Sequence, residues 1–128
     1  MDARLAQARA ALEGDRRDEA IAILTALLSD APDQPADVYM DLCRQLYLSG
    51  RLGEADAWTA RGLARRPDTY DLLNLRGVIL RVTGRPAEAL PLFERAVALN
   101  GSDPRAQVNR GSALLDLGQA DQALSVFA

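Results

Sequence analysis

The chain has 128 residues and a formal net charge of −3, with 48% hydrophobic, 26% charged and 5% aromatic residues. That length suits one domain with a real core, built here from small and branched aliphatics because aromatics are so few. The absence of His and Lys removes the commonest general base, Schiff-base chemistry and P-loop phosphate binding, and the lone Cys43 can form neither an internal disulfide nor a zinc site. The acidic balance argues against a nucleic-acid face, no apolar run approaches the roughly 20 residues of a membrane span, and Met1-Asp2-Ala3-Arg4 lacks the apolar core of a secretory signal. The expectation is a cytoplasmic protein that is not an enzyme and carries no cofactor or metal.

With 23 Ala and 21 Leu the composition favours helix throughout. Gly50, Gly84 and Gly118 are spaced 34 and 34, and each is followed at a fixed distance by Ala55, Ala89 and Ala123. Gly77 and Gly111 are also 34 apart, each preceded by Arg (Arg76, Arg110). This register divides the chain into units 1–34, 36–69, 70–103 and 104–128, with Pro35 as the one extra residue. Unit 1–34 is degenerate: it keeps Glu19-Ala20, Leu24, Leu27 and Pro32, but Gly14 lies one residue early. Unit 36–69 carries Tyr39, Leu42, Cys43, Gly50, Glu54-Ala55, Gly62 and Pro67. In unit 70–103, an apolar helical stripe over 70–83 ends at Gly84, which supplies a left-handed cap, and Pro86 opens a second stripe over 86–99. Pro91 should bend that second helix and sit on its outer face, where the lost hydrogen bond does least harm. In the last unit Asp103 is the expected N-cap, Pro104 the first helical residue, and the final helix begins near Ala120. Each unit is thus two antiparallel helices, with small residues such as Gly77, Ala55, Ala89 and Ala96 letting the backbones approach.

A helix pair of this size cannot bury its apolar face alone, but stacked pairs can. The shared spacing resembles the tetratricopeptide repeat (TPR), whose pattern has small residues at positions 8, 20 and 27, a turn Gly at 15, an aromatic at 24 and Pro at 32. The resemblance covers essentially the whole chain. It implies an all-α, right-handed α-solenoid of antiparallel helix pairs, about four TPR-like units with the last one truncated, as a single domain over 1–128. It also implies a concave groove, lined by the first helix of each unit, that binds a peptide or protein. Carried over, the groove presents Asp37, Met40, Asp41, Arg44, Tyr47 and Leu48 from the second unit. The third gives Asp71, Asn74, Leu75, Val78, Arg81 and Val82, and the fourth Arg105, Val108, Asn109, Ser112, Leu115 and Asp116. Chaperone-type carboxylate clamps need Lys, which is absent, and the asparagine ladder of glycosyltransferase arms is broken, with Asp41 and Leu75 where only Asn109 fits.

The leading expectation is a non-catalytic scaffold for a protein or peptide partner. The rivals are a substrate-recruiting N-terminal arm of a larger bacterial enzyme, such as a glycosyltransferase or sulfotransferase, and a self-association module. Arg44 and Arg81 are the candidate clamps for a partner carboxylate, against local pairing with Asp37, Asp41 or Asp71. Arg76 and Arg110 are expected in structural ion pairs, Cys43 as a small buried residue, and Trp58 in packing. The last helix has no capping helix after it, so Leu114, Leu117, Leu124 and Phe127 are at risk of exposure. They form the candidate association face, covered by a second copy as a homodimer or by further sequence of a longer protein.

Overall fold

In the computed structural model, which describes residues 2–119, the chain forms seven helices and no strand among those residues. They are α1 (Arg4–Glu13), α2 (Arg17–Asp30), α3 (Ala36–Leu48), α4 (Leu52–Arg65), α5 (Tyr70–Val82), α6 (Pro86–Leu99) and α7 (Pro104–Asp116). The breaks fall at the prolines and glycines that mark the repeat boundaries in the sequence. The chain divides into two compact units, Met1–Arg66 with α1–α4 and Pro67–Ala128 with α5–α7.

The turns within each repeat are built alike. Gly50, Gly84 and Gly118 have φ of 74°, 82° and 76°, the left-handed conformation that lacks a steric penalty only without a Cβ. The N–H after each of them reaches back five residues: Arg51 to the Leu46 carbonyl at 2.9 Å, Arg85 to Leu80 at 2.7 Å, and Gln119 to Leu114 at 2.8 Å. This bond satisfies a carbonyl that the helix end leaves orphaned. The degenerate first repeat makes the same turn, with Arg16 N–H on the Ala11 carbonyl at 2.8 Å. There the left-handed residue is Asp15, at φ 60°, and Gly14 is not in that region. The 34-residue register therefore holds in space, with an Asp where the other turns have Gly.

Helix starts follow local chemistry too. Pro86 and Pro104 sit in the first turns of α6 and α7, and the Asp103 carboxylate accepts the Arg105 N–H at 3.0 Å. Helix α6 runs unbroken through Pro91, which is exposed. The core of the second unit centres on Leu80, Ala89, Phe93 and Ala113. Phe93 is fully buried and lies so close to Gly77 that a Cβ there would sit 2.3 Å from its ring. In the first unit Ala8, Leu24, Tyr39, Leu42, Cys43 and Leu46 are fully or almost fully buried.

Candidate functional site

In the compact unit Met1–Arg66, helix α3 carries Asp37, Met40, Asp41, Arg44, Tyr47 and Leu48. The two acids are not free. Arg9 of α1 donates through Nη2 to Asp37 at 3.0 Å and through Nε to Asp41 at 3.3 Å. The Asp37 bond is the main reason that the Arg9 pKa is raised, with Asp41 adding to it. Such exposed pairs contribute only about 0–1 kcal/mol. Their effect is to orient α1 against α3 and to neutralise the acids of this face. Arg44 is exposed and makes no hydrogen bond or ion pair among the described residues. Met40 and Tyr47 are half-buried beside it, and Leu48 is exposed.

The second unit repeats the device with other residues. Arg81 Nε donates to Asp116 at 2.7 Å, and Arg105 Nη2 donates to Asp71 at 3.2 Å. Arg81 is thus engaged by an acid of α7 instead of standing as a clamp, and its partner is none of the three acids expected from the sequence. Asn74 departs further from expectation. It is 6% exposed, its Nδ2 donates to the Tyr70 carbonyl at 3.3 Å, and its Oδ1 accepts the Asn109 Nδ2 at 3.1 Å. A buried amide must find partners, and Asn74 finds them between α5 and α7 instead of facing a ligand. Asn109, Val78 and Ser112 are half-buried on the same two helices, and Val82, Val108 and Leu115 are exposed.

Five large hydrophobic side chains among the described residues are exposed: Leu48, Val82, Leu99, Val108 and Leu115. Four of these five, all but Leu99, stand at the groove positions carried over from the repeat pattern. Leu114 is 3% exposed and so offers no association surface. Leu117 is half-buried, while Leu124 and Phe127 lie outside the described residues.

Cys43 is fully buried, and burial pushes its thiol up to about 12, so it stays protonated and inert at neutral pH. Arg110 makes no ion pair among the described residues, and its Nε is buried without a hydrogen-bond partner, against the structural pair expected for it. Trp58 is 7% exposed and packs tilted against Tyr39 with ring centroids 6.5 Å apart. Two features escaped sequence reasoning. Arg9 is masked by the degeneracy of the first repeat, though it stands at the ninth position of its unit as Arg44 does. The surroundings of Trp58 also hold a hollow that no motif marks. Among the described residues no helix is long and apolar enough to cross a membrane.

Comparison with known proteins agrees with the helical-repeat fold. One tetratricopeptide-repeat profile matches residues 46–104 and 82–128, and a second matches residues 2–33. Among curated protein sequences nothing matches. Among solved structures, MamA from AMB-1 is similar with a TM-score of 0.87 at 22% identity, over 97% of this chain and 67% of that one. Another crystal structure of MamA gives 0.88 at 18% identity, over 97% and 72%. YrrB, described as a TPR protein with an unusual peptide-binding site, gives 0.82 at 27% identity, over 94% of this chain and 61% of its own.

Proposed function

The chain belongs to the tetratricopeptide-repeat family, and from that premise we propose that it is a non-catalytic scaffold that holds a peptide or protein segment on its first-helix faces. The observation that carries this reading is the placement of exposed aliphatics. Water-exposed Leu48, Val82, Val108 and Leu115 all fall at groove positions, where the apolar groups of a partner would cover them. The acids around them are already paired with Arg9, Arg81 and Arg105. What these faces offer a ligand is therefore aliphatic surface edged by neutralised charge, with Arg44 as a cation to spare. Each face by itself suits a stretch of apolar side chains, and the face of α3 suits a carboxylate near Arg44 beside it. The likeness to YrrB, with its peptide-binding site, supports the same reading.

The test is capture of partners from the native cell. Leu48→Asp with Leu115→Asp should abolish capture, because each places a charge where an aliphatic contact is needed. Leu99→Asp removes an equally exposed leucine outside the groove positions and should leave capture intact. Capture that survives the first pair, or fails equally with Leu99→Asp, refutes the reading.

A further inference from the structure

The hollow beside Trp58 lies wholly within the first unit, between the C-terminal halves of α2 and α4, with the α2–α3 link as its third wall. It measures about 360 Å³, and Leu28, Pro32, Tyr39, Trp58, Arg61 and Arg65 line it. A volume of that order is within the roughly 300–1,000 Å³ range of ligand sites. The floor is apolar and aromatic and the rim is cationic, a combination that favours binding hot spots.

Among the described residues no acid pairs with Arg61 or Arg65 at the rim. Arg61 and Arg65 are four residues apart on α4, hence neighbours on one helix face, where like charges repel. Arg61 lies over the Trp58 ring at 4.5 Å from its centroid, and it meets no carboxylate among the described residues. Arg65 makes no hydrogen bond or ion pair among the described residues. Asp33, which follows the lining residue Pro32, is engaged by Arg66 at 2.9 Å, and Asp30 is engaged by Arg4 at 2.7 Å. The Tyr39 hydroxyl, which burial raises, feels the positive charges of Arg65, Arg66 and Arg61 against the single negative charge of Asp33. A chain of net charge −3 has thus gathered a local excess of cations around an apolar hollow.

We propose that this hollow is a second docking site, distinct from the first-helix faces, for an acidic peptide segment. An aliphatic side chain of the peptide rests on the Tyr39–Trp58 floor, and the adjoining carboxylate is held between Arg61 and Arg65. The guanidiniums need little rearrangement, since Trp58 already holds Arg61 at the rim. The site neither uses nor depends on Arg44, Leu48 or Leu115.

Trp58 is the chain's only tryptophan, so its emission reads the floor directly. The probes are acetyl-LDLE-amide and its neutral counterpart acetyl-LNLQ-amide, titrated into the full chain. The acidic peptide should shift Trp58 emission saturably, and the neutral one should not. With fluorescein-labelled LDLE and anisotropy as readout, Arg61→Gln/Arg65→Gln should weaken binding about tenfold or more, and so should added salt. Arg61→Glu/Arg65→Glu should instead bind labelled acetyl-LKLK-amide. Arg44→Ala should leave LDLE binding unchanged. An LDLE peptide that gives no saturable shift up to millimolar concentration overturns the proposal, as does equal binding of LNLQ. Loss of binding with Arg44→Ala but not with Arg61→Gln/Arg65→Gln puts the peptide on the first-helix face. That result overturns this site and leaves the scaffold reading standing.

Discussion

Gly77→Ala adds one methyl group to the middle of α5, and its effect can be worked from the structure. The new Cβ would stand 2.3, 2.5 and 2.9 Å from Cε1, Cζ and Cδ1 of Phe93. Comfortable carbon–carbon contact needs about 3.5–4.0 Å, so the ring or the helix must retreat by roughly 1 Å or more. Phe93 is fully buried among Leu80, Ala89 and Ala113, with Val78, Leu90 and Leu92 around them, so it has nowhere to go. Overpacking of this kind costs about 1–3 kcal/mol, and the upper end is expected because the blocking atoms form a rigid ring. Helix propensity works the other way, since Ala is favoured over Gly by about 1 kcal/mol. The net expectation is a loss of about 2 kcal/mol. Urea unfolding followed by far-UV circular dichroism should show a lower midpoint with an unchanged slope. Trp58 fluorescence is the wrong probe, because Trp58 lies in the other compact unit. Phe93→Leu should relieve the clash, so the double variant should be more stable than Gly77→Ala alone, a coupling of about 1–2 kcal/mol in a double-mutant cycle. A Gly77→Ala chain as stable as the parent would mean that propensity outweighs packing, and the close-approach argument would be wrong.

Asp15→Gly should stabilise the first turn by about 0.5–1 kcal/mol, seen as a raised urea midpoint, because it removes a side chain from a left-handed residue at φ 60°. A lowered midpoint would show that the Asp side chain contributes more than its backbone costs. Cys43, with its thiol pushed up to about 12 by burial, should not react with Ellman's reagent at pH 8 until urea unfolds the chain; prompt labelling of the folded protein contradicts its burial. Hydrogen bonds from the Arg51 and Arg105 side chains, with the Arg105 N–H adding to the second, hold Glu54 and Asp103 below their ordinary values of 4.5 and 3.8. Folded values that are depressed add stability in full above the ordinary range and lose it as pH falls through the folded values, so Tm should drop only below about pH 4.5. An acid limb that begins near neutrality would need another titrating group.

The parts of the fold that were legible in the sequence rest on chemistry that acts within a few residues. Gly at a left-handed turn, Pro in a first helical turn and Asp103 as a cap each fix a helix end without reference to the rest of the chain. The same holds for Pro91, whose missing N–H asks only for the outer side of its own helix. The site was less legible because its pairings cross from helix to helix. Arg81 reaches Asp116, 35 residues on, and which acid it meets depends on the stagger of α5 against α7 by a fraction of a turn. Asn74 and Asn109 are likewise 35 apart, and the pairing of their amides between α5 and α7 is not written in either helix alone. The hollow was hidden for a related reason. Trp58 stands one residue before the position where the repeat pattern has its aromatic, and its surroundings depend on where α2 ends.

That displaced aromatic exposes a rule of the core. Residues 16 apart in a repeat occupy the same paired positions on its two helices: Ala8 with Leu24, Cys43 with Thr59, Gly77 with Phe93. All six are buried, and the second-helix residue grows as the first-helix residue shrinks. Gly77 admits the Phe93 ring, while the larger Ala8 and Cys43 are matched by Leu24 and by Thr59, whose hydroxyl turns back to the Ala55 carbonyl at 2.8 Å. The order fits a shared space that the two residues divide between them, and volume-conserving exchanges are the ones that cores tolerate. Thr59→Phe alone should overfill the first unit and cost about 1–3 kcal/mol. Cys43→Gly alone should cost about 1 kcal/mol or more, from lost packing and the low helix propensity of Gly. Together they recreate the Gly77–Phe93 arrangement, so the double variant should be more stable than the sum of the two losses predicts, by about 1–2 kcal/mol. Urea unfolding of the four chains measures that coupling, with Trp58 on α4 as the probe. If the two effects merely add, to within about 0.5 kcal/mol, the paired positions do not share a volume and the rule fails.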